Sequence, residues 1–118
     1  MQELNLPHIF PIKFARYIIS NDESSARVQV EFESLPSIGM LIEAAAQSSA
    51  AIGKKQSSKM GFLVSLKNVK LLNSPTKKIL EVQVKHEHSM ENMKMMQFDI
   101  FEEDLKISTG SFMLMVEN

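Results

Sequence analysis

The sequence lacks several residue types that particular protein classes require. Its 118 residues contain no cysteine and no tryptophan, one tyrosine, four glycines and four prolines. Without cysteine there is no disulfide, no thiolate metal ligand and no cysteine nucleophile. No apolar run approaches the roughly 20 residues of a membrane-spanning helix. Residues 1–5 also lack the basic and apolar parts of a signal peptide. We therefore expect a cytoplasmic protein without a membrane span.

Charge is nearly balanced but unevenly distributed. Thirteen basic residues face 14 acidic ones, which gives a formal net charge of −1 and argues against a nucleic-acid partner. Residues 54–78 nevertheless contain seven lysines and no acidic residue. This stretch is either a solvated surface or a basic patch that attracts an anionic partner. The length and composition predict one globular domain over residues 1–118.

The hydrophobic pattern predicts one helix within a series of strands. Residues 37–53 are almost wholly small or apolar, with Ser37 as N-cap and Gly53 at the C-terminal end. Residues 26–33 alternate, which places Val28, Val30 and Phe32 on one face. Other strands are predicted over residues 14–20, 62–72, 79–88, 95–102 and 105–116. This order indicates an α+β fold in which an antiparallel sheet wraps closely around a helix buried on nearly all sides.

Glu43 is the only charged residue between Ser37 and Gly53. A carboxylate in a buried helix is costly unless it is partnered, which makes Glu43 a candidate functional group. Gln47 lies four residues further on, so it shares a helix face with Glu43 and can hydrogen-bond to it. Two interpretations stay open: Glu43 is a general base or an orienting group fixed by Gln47, or the pair has no chemical role.

Three segments resemble, in the same order, the beta-hydroxyacyl-acyl-carrier-protein dehydratases of the hotdog-fold superfamily. They are Leu6-Pro7-His8-Ile9-Phe10-Pro11 followed by Phe14-Ala15-Arg16, then Glu43-Ala44-Ala45-Ala46-Gln47, and then residues 61–70. The resemblance covers essentially the whole chain. It implies a hotdog fold, a homodimer or higher homo-oligomer, and a role in fatty acid metabolism without a cofactor. The implied ligand is an acyl thioester of coenzyme A or of an acyl carrier protein.

The histidine that these dehydratases carry in a loop before the helix is missing here. Residues 33–36 lead directly from strand to helix, and no histidine lies between His8 and His86. Dehydration requires a group that both accepts and donates a proton near neutral pH, and of the catalytic pair only Glu43 has a matching position. Three functions therefore stay open. They are a dehydratase-like or catalytically degenerate relative, a thioesterase in which Glu43 activates water and Gln47 positions it, and a non-catalytic acyl-binding or regulatory module.

Further candidate site residues surround the predicted helix. His8 is a catalytic candidate if the N-terminal segment approaches the site. Gly39 and Met40 are candidates for ligand contact in the first helical turn, where the absence of a side chain at Gly39 either admits a ligand or serves packing. Beyond the helix, the residues expected to meet phosphates or an acidic carrier are Lys54, Lys55 and Lys59.

Histidine and methionine are concentrated in the last strands. His86 and His88 form a His-x-His pair on one strand face, a spacing that suits metal ligation. Without a third ligand of clear spacing, however, no metal site is predicted. Methionine occurs nine times, and core packing is its default use. Residues 112–116 are apolar on both strand faces, which favours a partner subunit covering the outer face.

Overall fold

One helix packs against a single antiparallel sheet. The computed structural model describes residues 2–3, 13–53 and 61–116. Within these residues the sheet has seven strands in the order β1-β2-β3-β5-β6-β7-β4. The elements in chain order are β1 (Gln2–Glu3), β2 (Ala15–Asn21), β3 (Ser25–Glu31), α1 (Ile38–Ser48), a 3₁₀ turn (Ser49–Ala51), β4 (Gly61–Leu71), β5 (Ile79–Met90), β6 (Met93–Glu102) and β7 (Leu105–Val116). The predicted α+β arrangement is confirmed.

The helix begins where its N-cap predicts, but α1 ends at Ser48, before the predicted bound at residue 53, and a 3₁₀ turn continues the segment to Ala51. The Ser37 hydroxyl accepts a hydrogen bond from the Met40 amide at 3.3 Å, which satisfies one of the free first-turn donors. After the 3₁₀ turn, Gly53 adopts a φ of 97°, a conformation that glycine reaches without steric cost. Small side chains allow close contact with the sheet, and the fully buried apolar residues of this segment are Leu41, Ala44, Ala45 and Ala51.

The expectation that the helix is buried on nearly all sides is wrong for the single chain. Ile38 is 39% exposed, Gly39 is exposed, and Ala46 and Ala50 are half-buried. The sheet covers only one side of α1, and its first turn is the more open end.

The core lies between α1 and the alternating residues of the central strands. The strand period of two places every second side chain on the helix side. Val28, Val30 and Phe32 are at most 5% exposed, as the alternation predicts. On β6 and β7, the rings of Phe98 and Phe112 pack with centroids 5.8 Å apart.

A β-bulge in β5 overturns the prediction that His86 and His88 share a strand face. His86 pairs with Met96 on β6, whereas His88 pairs with Met95, so the register shifts between them. Because adjacent residues of a strand point to opposite faces, His86 lies on the helix side and His88 on the outer side. The His-x-His pair therefore does not form one metal site.

Strand β4 lies at one edge of the sheet and carries exposed apolar side chains. It pairs with β7, and Leu63, Val64 and Leu66 are each at least 40% exposed. The unpaired backbone groups of a long apolar edge strand are able to pair with another chain. Among the residues that the structure describes, no helix is long and apolar enough to cross a membrane.

Candidate functional site

Glu43 and Gln47 meet on α1, as their spacing predicts. The Gln47 side-chain amide donates to Glu43 Oε1 at 3.3 Å. Gln47 is only 4% exposed, whereas Glu43 is half-buried. The carboxylate is therefore the more accessible member of the pair, and the amide orients it.

Strand β2 fixes the orientation of the Gln47 side chain. Gln47 Oε1 accepts hydrogen bonds from the Phe14 amide at 2.8 Å and from the Ala15 amide at 3.1 Å. With its oxygen accepting from two backbone N–H groups, the side chain must direct its NH₂ group elsewhere, and that group reaches Glu43. Gln47 thus joins the start of β2 to the helix and positions the carboxylate. The sequence pattern did not predict this link, because backbone donors carry no residue-type preference.

The first turn of α1 is an open surface beside Glu43. Helical geometry leaves the first N–H groups without acceptors inside the helix, and the Ser37 hydroxyl accepts from the Met40 amide. A Cβ atom added at Gly39 would contact only the Ser37 hydroxyl, at 3.9 Å. Crowding therefore does not explain glycine at this position. Met40 is half-buried and packs against the core cluster, so it lines the side of this turn nearest the sheet.

Several predicted site residues lie outside the described part of the chain. His8 belongs to residues 4–12, and residues 54–60 hold the three predicted ligand-binding lysines, Lys54, Lys55 and Lys59. Their roles stay predictions. Of the described histidines, His86 lies on the helix side of β5, and its Nε2 is buried with no hydrogen-bond partner among the described residues.

The described lysines of the stretch 54–78 lie on an edge strand and in the segment that precedes β5. Lys67 and Lys70 are exposed along the edge strand β4. Lys77 forms an ion pair with Glu103 in the β6–β7 turn. A hydrogen bond with that carboxylate raises the pKa of Lys77. Among the described lysines of this stretch, Lys77 is therefore paired with a carboxylate, which offsets its charge.

Carboxylates with a lowered pKa lie in turns and on the sheet surface. The Ser24 backbone amide donates to Asp22 and lowers the pKa of this carboxyl. The Arg27 guanidinium makes two hydrogen bonds to Glu81 and lowers its pKa. The Thr76 hydroxyl has the same effect on Glu102. These interactions stabilise the charged form of each group, as expected for surface contacts that hold turns and neighbouring strands together.

The fold is shared with solved structures from several bacteria, while no family model and no curated protein sequence matches the chain. The dehydratase heterocomplex ApeI:P from Xenorhabdus doucetiae is 18% identical, with a TM-score of 0.80 over 96% of this chain and 88% of that one. A hypothetical thioesterase with coenzyme A from Streptococcus pneumoniae is 14% identical, with a TM-score of 0.68 over 86% and 85%. A Streptococcus mutans protein bound to acetyl CoA is 12% identical, with a TM-score of 0.70 over 94% and 93%. The chain has the hotdog fold.

Proposed function

We propose that this hotdog-fold chain binds acyl thioesters, carried by coenzyme A or an acyl carrier protein, beside Glu43. The observation that carries the proposal is the half-buried Glu43 carboxylate, which Gln47 orients near the middle of α1, one turn from the exposed Gly39. The likeness to a dehydratase complex and to two structures that contain coenzyme A or acetyl CoA supports the class of ligand.

The first turn of α1 supplies donors for a thioester carbonyl. Its backbone N–H groups point along the helix axis toward the N-terminus, where they favour negative charge that develops on an oxygen. Glu43 lies four residues beyond Gly39, about 6 Å along the axis. A carbonyl oxygen over the first turn would therefore leave the thioester carbon within reach of a water molecule that is hydrogen-bonded to Glu43.

Among the enzymatic alternatives, the positions of the described histidines favour thioester hydrolysis. His88 lies on the outer side of the sheet, away from α1, and His86 is on β5 with its Nε2 unpartnered. In hydrolysis, Glu43 accepts a proton from water while the water oxygen attacks the thioester carbon and the thiolate leaves. Dehydration would need a second acid–base group, and His8 is the candidate that the sequence offers. Without turnover, the same site serves a non-catalytic acyl-binding module.

A second copy of the chain is the proposed partner of β4. This edge strand is 11 residues long, and its exposed Leu63, Val64 and Leu66 form an apolar border that lies in water in the single chain. Pairing two β4 strands would satisfy their free backbone groups and bury these side chains. We expect Leu66→Lys to dissociate the dimer in sedimentation equilibrium. Leu105→Lys, at an equally exposed position at the start of β7, should leave the dimer intact. A wild-type chain that stays monomeric at micromolar concentration contradicts the pairing.

The binding experiment measures affinity against acyl chain length. Calorimetric titration with acyl coenzyme A esters should give about fourfold tighter binding per added methylene, since each buried CH₂ contributes about 0.8 kcal/mol. Free coenzyme A is the control for binding through the nucleotide alone. If no acyl thioester of coenzyme A or of an acyl carrier protein binds, the proposal is wrong.

Turnover assays then separate the three functions. Glu43→Gln keeps the shape of the side chain but removes its basicity, so hydrolysis should fall by at least 100-fold with little change in affinity. Gln47→Glu keeps an acceptor for the Phe14 and Ala15 amides but repels Glu43, so it tests positioning without removing the link to β2. Dehydration of 3-hydroxyacyl thioesters that is lost in His8→Ala would identify a dehydratase instead. Binding without either reaction identifies the non-catalytic module.

A further inference from the structure

A second chemically distinctive site lies at the opposite face of the sheet, at the tip of the β5–β6 hairpin. A cavity of about 170 Å³ opens there. Four thioethers and one imidazole form its wall, and the lining residues are His88, Met90, Met93, Met95 and Met113. We call this cavity the methionine pocket.

The pairing of three neighbouring strands brings these side chains together. Met95 of β6 pairs with His88 of β5 on one side and with Met113 of β7 on the other. In the next row of the same face, Met90 pairs with Met93. The β5 bulge is decisive, because in a strand with unbroken alternation His88 would share the helix side with His86.

Core packing does not account for the methionine pocket. Met96, the neighbour of Met95 on β6, is 4% exposed and faces the core, so the pocket residues face away from α1. Met90 is 70% exposed, and Met93, Met95 and Met113 are half-buried. Leucine or valine would fill a half-exposed strand face equally well, whereas thioethers add a ligand atom that those residues lack.

The thioether and imidazole groups of the methionine pocket form a donor set that favours soft monovalent metal ions. Thioether sulfur is a soft, uncharged ligand that prefers Cu(I), and imidazole nitrogen also binds copper. No cluster of three or more histidine, cysteine or acidic side chains suitable for a metal exists among the described residues, so they offer no site of the kind that zinc or calcium prefers. Methionine has three rotatable side-chain bonds, which allows its sulfur atoms to adjust to the geometry of an ion.

We propose that the methionine pocket binds Cu(I) through the thioethers of Met93, Met95 and Met113 and an imidazole nitrogen of His88. Met90, at the exposed rim, supplies an alternative thioether. The proposal is independent of acyl thioester binding, since the two sites lie on opposite faces of the sheet. It also revises the sequence-based expectation that no metal site exists, because the ligands come from three strands rather than from one His-x-His pair.

Silver(I) is a suitable probe because it has the same ligand preference and needs no reductant. We expect the intact protein to bind one Ag(I) per chain, and to bind Cu(I) in competition with a chromophoric Cu(I) chelator. Met93→Leu combined with Met95→Leu keeps the apolar volume and should weaken Ag(I) binding by at least tenfold. Met96→Leu, on the same strand but facing the core, is the matched control and should change affinity by less than twofold. Equal affinity in the double variant and the wild type would overturn the proposal.

Methyl NMR of the unsubstituted protein tests the same site without relying on a variant that folds. Added Ag(I) should shift the ε-methyl signals of Met93, Met95 and Met113 and leave that of Met96 unchanged. Zn(II) should not produce these shifts. The proposal is wrong if Zn(II) binds in the pocket as tightly as Ag(I). It is also wrong if the signals respond only to protein dilution, because the pocket would then be a contact between copies of the chain.

Discussion

The two ends of the helix differ in how firmly the rest of the chain holds them. At the C-terminal end, the Asn21 side chain donates to the carbonyls of Ala51 and Gly53, and the Gly53 amide donates to the Asp22 carbonyl. At the N-terminal end, Ser37 provides the cap and Gly39 is exposed. The fixed end attaches the helix to β2 and the turn that follows it, while the first turn at the open end is exposed.

Gln47 lies in the last turn of α1, and its substitution should have the largest effect on stability. In Gln47→Leu the buried amide of Ala15 and the partly buried amide of Phe14 lose their acceptor. We expect the free energy of unfolding to fall by about 2–4 kcal/mol, since each buried donor left unpaired costs about 1–3 kcal/mol. Urea denaturation measures this, with Glu43→Gln as the control because it leaves both bonds intact. A loss below 1 kcal/mol would mean that water replaces the lost acceptor.

Asn21 tests the fixed end alone. Asn21→Ala removes two hydrogen bonds to helix-terminal carbonyls at 2.9 and 2.7 Å. Because these groups are partly solvated, we expect a smaller loss of about 1–2 kcal/mol in urea denaturation. Acyl thioester affinity should not change, since the contact lies at the far end of the helix from Glu43. A parallel loss of affinity would show that the two ends are coupled.

A substitution at Gly39 tests the open end, and here we expect stability to rise rather than fall. Gly39→Ala meets no crowding and reduces the freedom of the unfolded chain, so it should stabilise the protein by up to about 0.5 kcal/mol. If a thioester carbonyl approaches the first turn, the added methyl group should weaken ligand binding by several-fold in the same variant. Higher stability with unchanged affinity would mean that the ligand does not contact this turn.

The smallest expected effect is the pH dependence of the stability that Asp22 contributes at the fixed end. The Ser24 and Ser25 contacts hold the pKa of Asp22 below its ordinary value of 3.8. A carboxyl with a lowered folded-state pKa stabilises the fold fully above its unfolded pKa and progressively less as the pH falls through the folded value. The stability difference between wild type and Asp22→Ala should therefore be constant above about pH 5 and shrink below about pH 4. Thermal unfolding at pH 7 and pH 3 measures it, and a difference that grows in acid would contradict the shift.

The sequence by itself determined features that depend on residues close together in the chain. The start of the helix, its N-cap at Ser37 and the Glu43–Gln47 contact all depend on neighbours within one helix, and the structure confirms them, although α1 ends at Ser48 rather than near Gly53. The inward face of β3 follows from an uninterrupted alternation of Val28 and Val30. Local periodicity and capping decide these features because the interacting groups are close in the chain.

Only the tertiary structure decided which distant groups meet. The link from Gln47 to the Phe14 and Ala15 amides spans more than 30 residues, and a backbone donor leaves no trace in the sequence pattern. The β5 bulge reverses the face of His88, so a strict period of two places this imidazole wrongly. Strand register across β5, β6 and β7 then forms the methionine pocket. The energy of pairing whole strands sets that register, and no single residue type encodes it.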